Sequence, residues 1–152
     1  MANSLASQTR DSFKAAEQLL GGSRDLVRRA RATSNQASGE RDRLLGEIVR
    51  AYRCGRREVW GAVLLDLLTP ALLQRLKRYR AEAPAIDLED IRQQLVLELL
   101  RAAATMHLPP DADFVERRLV LRAGQGVRRW LARERRFRAT HIPFNFEFEE
   151  EK

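Results

Sequence analysis

The stretch that decides the fold is IDLEDIRQQLVLELL, residues 86–100. Asp87 stands where a helix N-cap belongs. Glu89 and Asp90 put negative charge into the first turn, where the helix dipole favours it. Leu88, Ile91, Leu95 and Leu99, flanked by Val96 and Leu100, then recur at helical spacing and make one wide apolar stripe. Such a stripe has to be covered by other elements. The polar residues Asp90, Arg92, Gln93 and Gln94 are left as the exposed edge.

The same period continues on both sides. Upstream, Leu44, Leu45, Ile48, Val49 and Tyr52 predict a helix closed by Cys54-Gly55. A longer helix is expected from Glu58 to Tyr79, carried by Val59, Trp60, Val63, Leu64, Leu67, Leu68, Leu72, Leu73 and Leu76. Thr69-Pro70 predicts a kink or a break in it, because proline lacks the N–H and disfavours helical geometry at the residue before it. Residues 81–85, with Pro84, read as a loop. Downstream, Pro109-Pro110 makes a turn, and Asp111 or Asp113 is expected to start a last helix from Phe114 to Phe137. In that helix Phe114, Leu121, Val127 and Leu131 are expected to face the core, with Trp130 beside them. Only residues 142–148 (IPFNFEF) alternate in the manner of a strand. The predicted fold class is all-α, a compact helical bundle.

Three segments follow. Residues 1–40 form an N-terminal arm, partly helical or mobile, with short helical patterns at 12–20 and from Ser23, and a small, polar linker at 32–40. Residues 41–138 form the helical domain, and residues 139–152 an acidic tail. A chain of 152 residues with 44% hydrophobic content is enough for one core. The lone Cys54 excludes an internal disulfide and a multi-cysteine zinc site, and with only His107 and His141 besides, neither metal nor cofactor is expected. The N-terminus lacks the apolar core of a signal peptide, and no apolar run nears the roughly 20 residues of a membrane span. A cytoplasmic location is expected.

The net charge is +7, which favours a polyanionic partner. Arginine supplies 25 of the 28 basic residues. That bias suits bidentate phosphate contacts, and it also suits a GC-rich genome. Nine arginines lie between Glu116 and Arg138 against Glu116 and Glu134 alone, a surplus of seven. Helical spacing aligns Arg118, Arg122, Arg129, Arg133 and Arg136 along one flank. A row of guanidinium groups matches closely spaced phosphates and displaces their counterions, and Trp130 or Phe137 could stack on unpaired bases. The candidate nucleic-acid residues are therefore Arg117, Arg118, Arg122, Arg128, Arg129, Trp130, Arg133, Arg135 and Arg136. The plain alternative is a solvated basic face with Trp130 in the core. Gly124-Gln125-Gly126 predicts either a break in this helix or the close approach of another backbone.

Enzyme signatures are lacking, and no catalytic residue is assigned. The two histidines are 34 positions apart with no HExxH arrangement, and Cys54 has no histidine close in sequence. Capping explains Asp87, Glu89 and Asp90 more simply than acid–base chemistry does.

Together these segments resemble region 2 of the sigma-70 family of transcription factors, most closely the short extracytoplasmic-function type. Gly55-Arg56-Arg57-Glu58-Val59-Trp60, then Leu64-Leu65, Pro70 and Leu72-Leu73, looks like the family's opening helices. Residues 87–100 match the family pattern D-A-E-D-L-V-Q-E-V-F-L-R-L-W without a gap. The resemblance covers residues 44–136. It implies that Asp90 and Gln93, with Arg92 and Gln94 alongside, contact the largest-subunit clamp of core RNA polymerase. The following helix would hold promoter DNA. The chain departs from the family at Arg117-Arg118, where a Trp-Leu pair is usual, and at Gly124-Gln125, where Asn is common. Phosphate contact survives that comparison better than base-specific melting. Only 14 residues follow Arg138, too few for the family's second, helix-turn-helix domain. A separate region-4-like protein or an anti-sigma factor would then be a further partner. The alternative expectation is a small helical interaction protein of a mobile element or regulatory pair, binding nucleic acid nonspecifically or a protein partner.

Overall fold

The computed structural model describes Arg28 and residues 38–141, and among them the structure is all-α. The helices are α1 (Ser38–Cys54), α2 (Arg57–Glu82), α3 (Leu88–Thr105) and α4 (Val115–Thr140). Arg28 is helical; the other expectations for the arm before Ser38, the alternating run and the tail from residue 142 onwards lie outside the described residues, while Ala139 and Thr140, expected in the tail, extend the last helix. Ser38, Gly39 and Glu40, expected in the linker, instead form the first turn of α1.

One core joins all four helices. Leu44, Ile48 and Val49 of α1 meet Trp60, Leu64 and Leu68 of α2, Ile91, Leu95 and Leu99 of α3, and Val115, Leu119, Val127 and Leu131 of α4. The most extensive contact is between α3 and α4. Pro70 lies inside α2 without ending it. The buried residues around it, Leu67, Leu68 and Leu72, hold the helix in register, so packing outweighs the local cost of a proline, about 3 kcal/mol. Thr69 Oγ1 also donates to Leu65 O at 2.7 Å.

Helix α2 corrects one expectation. By length and composition alone it is apolar enough to cross a membrane. Here one side of it serves the core: Trp60, Val63, Leu64, Leu67, Leu68 and Leu72 are buried, while Leu73 is exposed.

The start of α4 corrects another. Neither Asp111 nor Asp113 caps it. Phe114 occupies the cap position in the left-handed region, φ 56°, and the capping group comes from α1. Asp42 accepts the N–H of Phe114 at 2.8 Å and that of Val115 at 2.9 Å. Beside it Arg41 Nε bonds Glu116 Oε2 at 2.8 Å.

Two more junctions are closed by side chains from other helices. Helix α3 has no basic residue in its last turn. Arg53 of α1 supplies one, donating to Ala103 O at 2.7 Å and to Met106 O. Arg135 and Arg138 of α4 donate to Glu82 O and Ala85 O, at 2.6 and 2.5 Å, and so hold the α2–α3 connection.

Phe114 and Leu121 were expected in the core and are 60% and 45% exposed. Six residues separate Leu121 from Val127, about 120° around a helix, so the two cannot share a face. The buried stripe runs instead through Val115, Leu119, Ala123, Val127 and Leu131. The helix does not break at Gly124-Gln125-Gly126. The glycines admit side chains rather than a second backbone: Tyr79 lies over Gly124 and Glu98 over Gly126.

Candidate nucleic-acid and partner interface

Asp87 caps α3 as the sequence predicts, its Oδ1 accepting the Glu89 N–H at 2.7 Å. Glu89 in turn accepts from Arg92 Nη2 at 2.7 Å and Gln93 Nε2 at 3.2 Å, both on Oε1. The four residues expected to form one docking edge are not all together. Arg92 stands two positions from Asp90, about 200° around the helix, and leans back on Glu89. Gln94 is half-buried and gives its amide to Glu98 Oε1 at 2.9 Å. Asp90 and Gln93 remain exposed on one face, and seven residues after Asp90 that face carries Leu97, 49% exposed. Leu97 was missed because it lies off the apolar stripe; its i+7 relation to Asp90 was the available signal.

The Arg92 guanidinium, and after it the Gln93 amide, hold the Glu89 carboxyl below its ordinary range. A carboxyl with a lowered folded-state pKa contributes stability above its unfolded value and loses it as the pH falls through the folded one. Glu89 is exposed, so solvent screening keeps that contribution small. In Arg92→Ala its carboxyl should titrate closer to the ordinary value, as carbon-detected NMR would read. An unchanged titration would remove Arg92 as the cause.

The arginines of α4 divide into groups. Arg118, Arg122, Arg129, Arg133 and Arg136 are all exposed along one flank, as their spacing predicts. Arg117 is exposed in a separate hollow beside Arg41, Gln74, Arg75 and Phe114. Arg128 points its Nε towards Gly124 O at 3.5 Å. Arg135 is tied to the α2–α3 connection as described. Trp130 is half-buried and packs against the core, which limits the ring face it can offer to a base.

Between α3 and α4 runs a groove of about 530 Å³. Arg129, Arg133 and Arg136 line one wall and Arg101 of α3 the other, with Glu98 and Gly126 between them. Glu98 is 6% exposed. Its Oε1 accepts from Arg101 Nη1 at 2.8 Å as well as from Gln94, so the buried charge is paired and hydrogen-bonded. The missing side chain of Gly126 makes the space it occupies. Arg101 is the residue the sequence reading overlooked, since it stands outside the arginine-dense helix.

Among the described residues no group of three or more His, Cys, Asp and Glu is placed to hold a metal ion. No protein-family model, curated protein or solved structure matches the chain.

Proposed function

We propose that this is a sigma-like transcription protein of the cytoplasm, without catalysis of its own, that docks on core RNA polymerase through α3 and holds promoter DNA along α4. One observation carries the reading. The α3 face bearing Asp90, Gln93 and the exposed Leu97 belongs to the helix packed most extensively on α4, whose flank bears the arginine row. A protein contact and a phosphate contact can then be made side by side on one rigid helix pair. An exposed leucine ringed by polar residues is a common form of protein contact, and guanidinium rows suit phosphates.

Purified core polymerase, used as bait, should retain the wild-type protein and lose the Asp90→Ala/Gln93→Ala double variant. Failure of the wild type to bind would end the polymerase reading. A second reading is favoured by Arg117-Arg118 and by the packing of Trp130. It keeps the nucleic-acid contact and drops the polymerase, leaving a small helical protein that grips phosphates without reading bases. DNA binding that persists in the absence of polymerase binding would select it.

A further inference from the structure

We infer that the α3–α4 groove seats one sugar–phosphate strand of a nucleic acid, with Arg101 of α3 gripping it from the wall opposite Arg129, Arg133 and Arg136. The inference rests on the nucleic-acid half of the reading above. It adds a binding residue from a second helix and fixes where the strand runs.

Four guanidinium groups face a single groove that holds one carboxylate, so a net positive charge is concentrated there. Glu98 is already bonded to one of the four and sits at the floor, over Gly126. Its bond to Nη1 fixes the Arg101 guanidinium at the groove, and a guanidinium has further N–H donors in the same plane for a second acceptor. The carboxylate thus positions Arg101, and the hollow at Gly126 lets it do so from below rather than from within the groove. A single anion would meet only part of this surface. The groove arginines of α4, Arg129 to Arg136, span about 10 Å at 1.5 Å per residue, and the exposed Arg122 and Arg118 carry the flank on beyond the groove to about 27 Å, which matches a linear polyanion. Packed helix axes are about 8–10 Å apart, so the furrow between two of them suits one backbone strand rather than a whole duplex.

The test is the salt dependence of binding to a labelled single-stranded oligonucleotide of mixed sequence, measured on the full chain by fluorescence anisotropy. Each phosphate contact contributes about 0.7 to the slope of log K against log salt for a single strand, which near 0.15 M salt is about fourfold in affinity. Arg101→Ala should therefore bind about fourfold more weakly with a slope shallower by about 0.7, matching Arg133→Ala. Arg101→Lys, which keeps the charge, should retain the wild-type slope. A merely structural Arg101 would not change the slope.

Wild-type slope and affinity in Arg101→Ala, with Arg129→Ala and Arg133→Ala weakened, would overturn the groove and leave the nucleic-acid reading standing. Salt-independent or undetectable binding by the wild type would overturn both. Inorganic phosphate should compete no better than chloride at matched ionic strength. Stronger competition would mark a single-anion pocket and overturn the strand. Binding to phosphatidylglycerol vesicles as tight as to the oligonucleotide would overturn it as well.

Discussion

Gly124→Leu is expected to destabilise the protein by about 3 kcal/mol, the upper part of the range for overpacked cores. A β-carbon at this position would lie 2.7 Å from Tyr79 Oη, closer than such carbons approach other atoms. Tyr79 is 1% exposed, and its hydroxyl donates to Gly124 O at 3.3 Å. Enclosed on all sides, the ring cannot swing away, and the rest of a leucine would drive α2 and α4 apart. Helix propensity returns about 1 kcal/mol when glycine is replaced, too little to compensate. At roughly 2–4 °C per kcal/mol for a chain of this size, the melting temperature should fall by about 6–12 °C. Gly126→Ala is the contrast. Its β-carbon would meet Glu98 Oε2, Cδ and Cγ at 2.1, 2.4 and 2.7 Å, so the whole side chain has to turn out of the hollow, but an open groove lies beside it to receive it. A smaller loss, about 1–2 kcal/mol, is expected there, the same propensity gain offsetting part of the lost bonds to Gln94 and Arg101. Urea unfolding of both variants reads the difference. Equal midpoints would mean that Tyr79 does not wedge the two long helices.

Asp42→Ala should cost about 2 kcal/mol, the high end for an N-cap. Two N–H groups share one ionised carboxylate, and charge-assisted bonds are the stronger kind. The same bonds hold Phe114 in a left-handed conformation that disfavours any residue with a β-carbon by about 1–2 kcal/mol. Asp42→Asn keeps one acceptor oxygen and turns an amide N–H2 on the other backbone N–H, so it should lose about half as much. Asp111→Ala and Asp113→Ala, at the positions where the local sequence points, should leave the melt unchanged. A large loss in either aspartate, with none in Asp42→Ala, would return the cap to the local sequence.

That cap shows where sequence reading stops. The helices themselves follow from short-range information: apolar spacing, the Asp87 cap and the Gly55 and Pro109 punctuation place α1, α2 and α3 to within a few residues. The start of α4 could not be read that way, because its capping residue stands 72 positions earlier on another helix. The exposure of Phe114 and Leu121 was legible in principle from the angle each makes with Val127. The role of Gly124-Gln125-Gly126 was half legible. Two glycines signal a close approach, but only the fold reveals that Tyr79 and Glu98 make it. For the candidate site, the arginine row was readable from spacing within one helix. Arg101 was not, because its place opposite that row depends on how α3 packs against α4.

Helix α1 touches both ends of the α3–α4 connection, Arg53 at its beginning and Asp42 at its close. These two residues are 11 positions apart, about 16 Å along a helix. The helix therefore works as a bracket across the mouth of that connection. Opening is then a single cooperative event rather than two: when α1 lifts away, the last turn of α3 loses its cation and the first turn of α4 loses its anion together. The helix pair that bears the candidate binding surfaces keeps its geometry for as long as this third helix, which lines neither the Asp90 face nor the α3–α4 groove, stays closed over it.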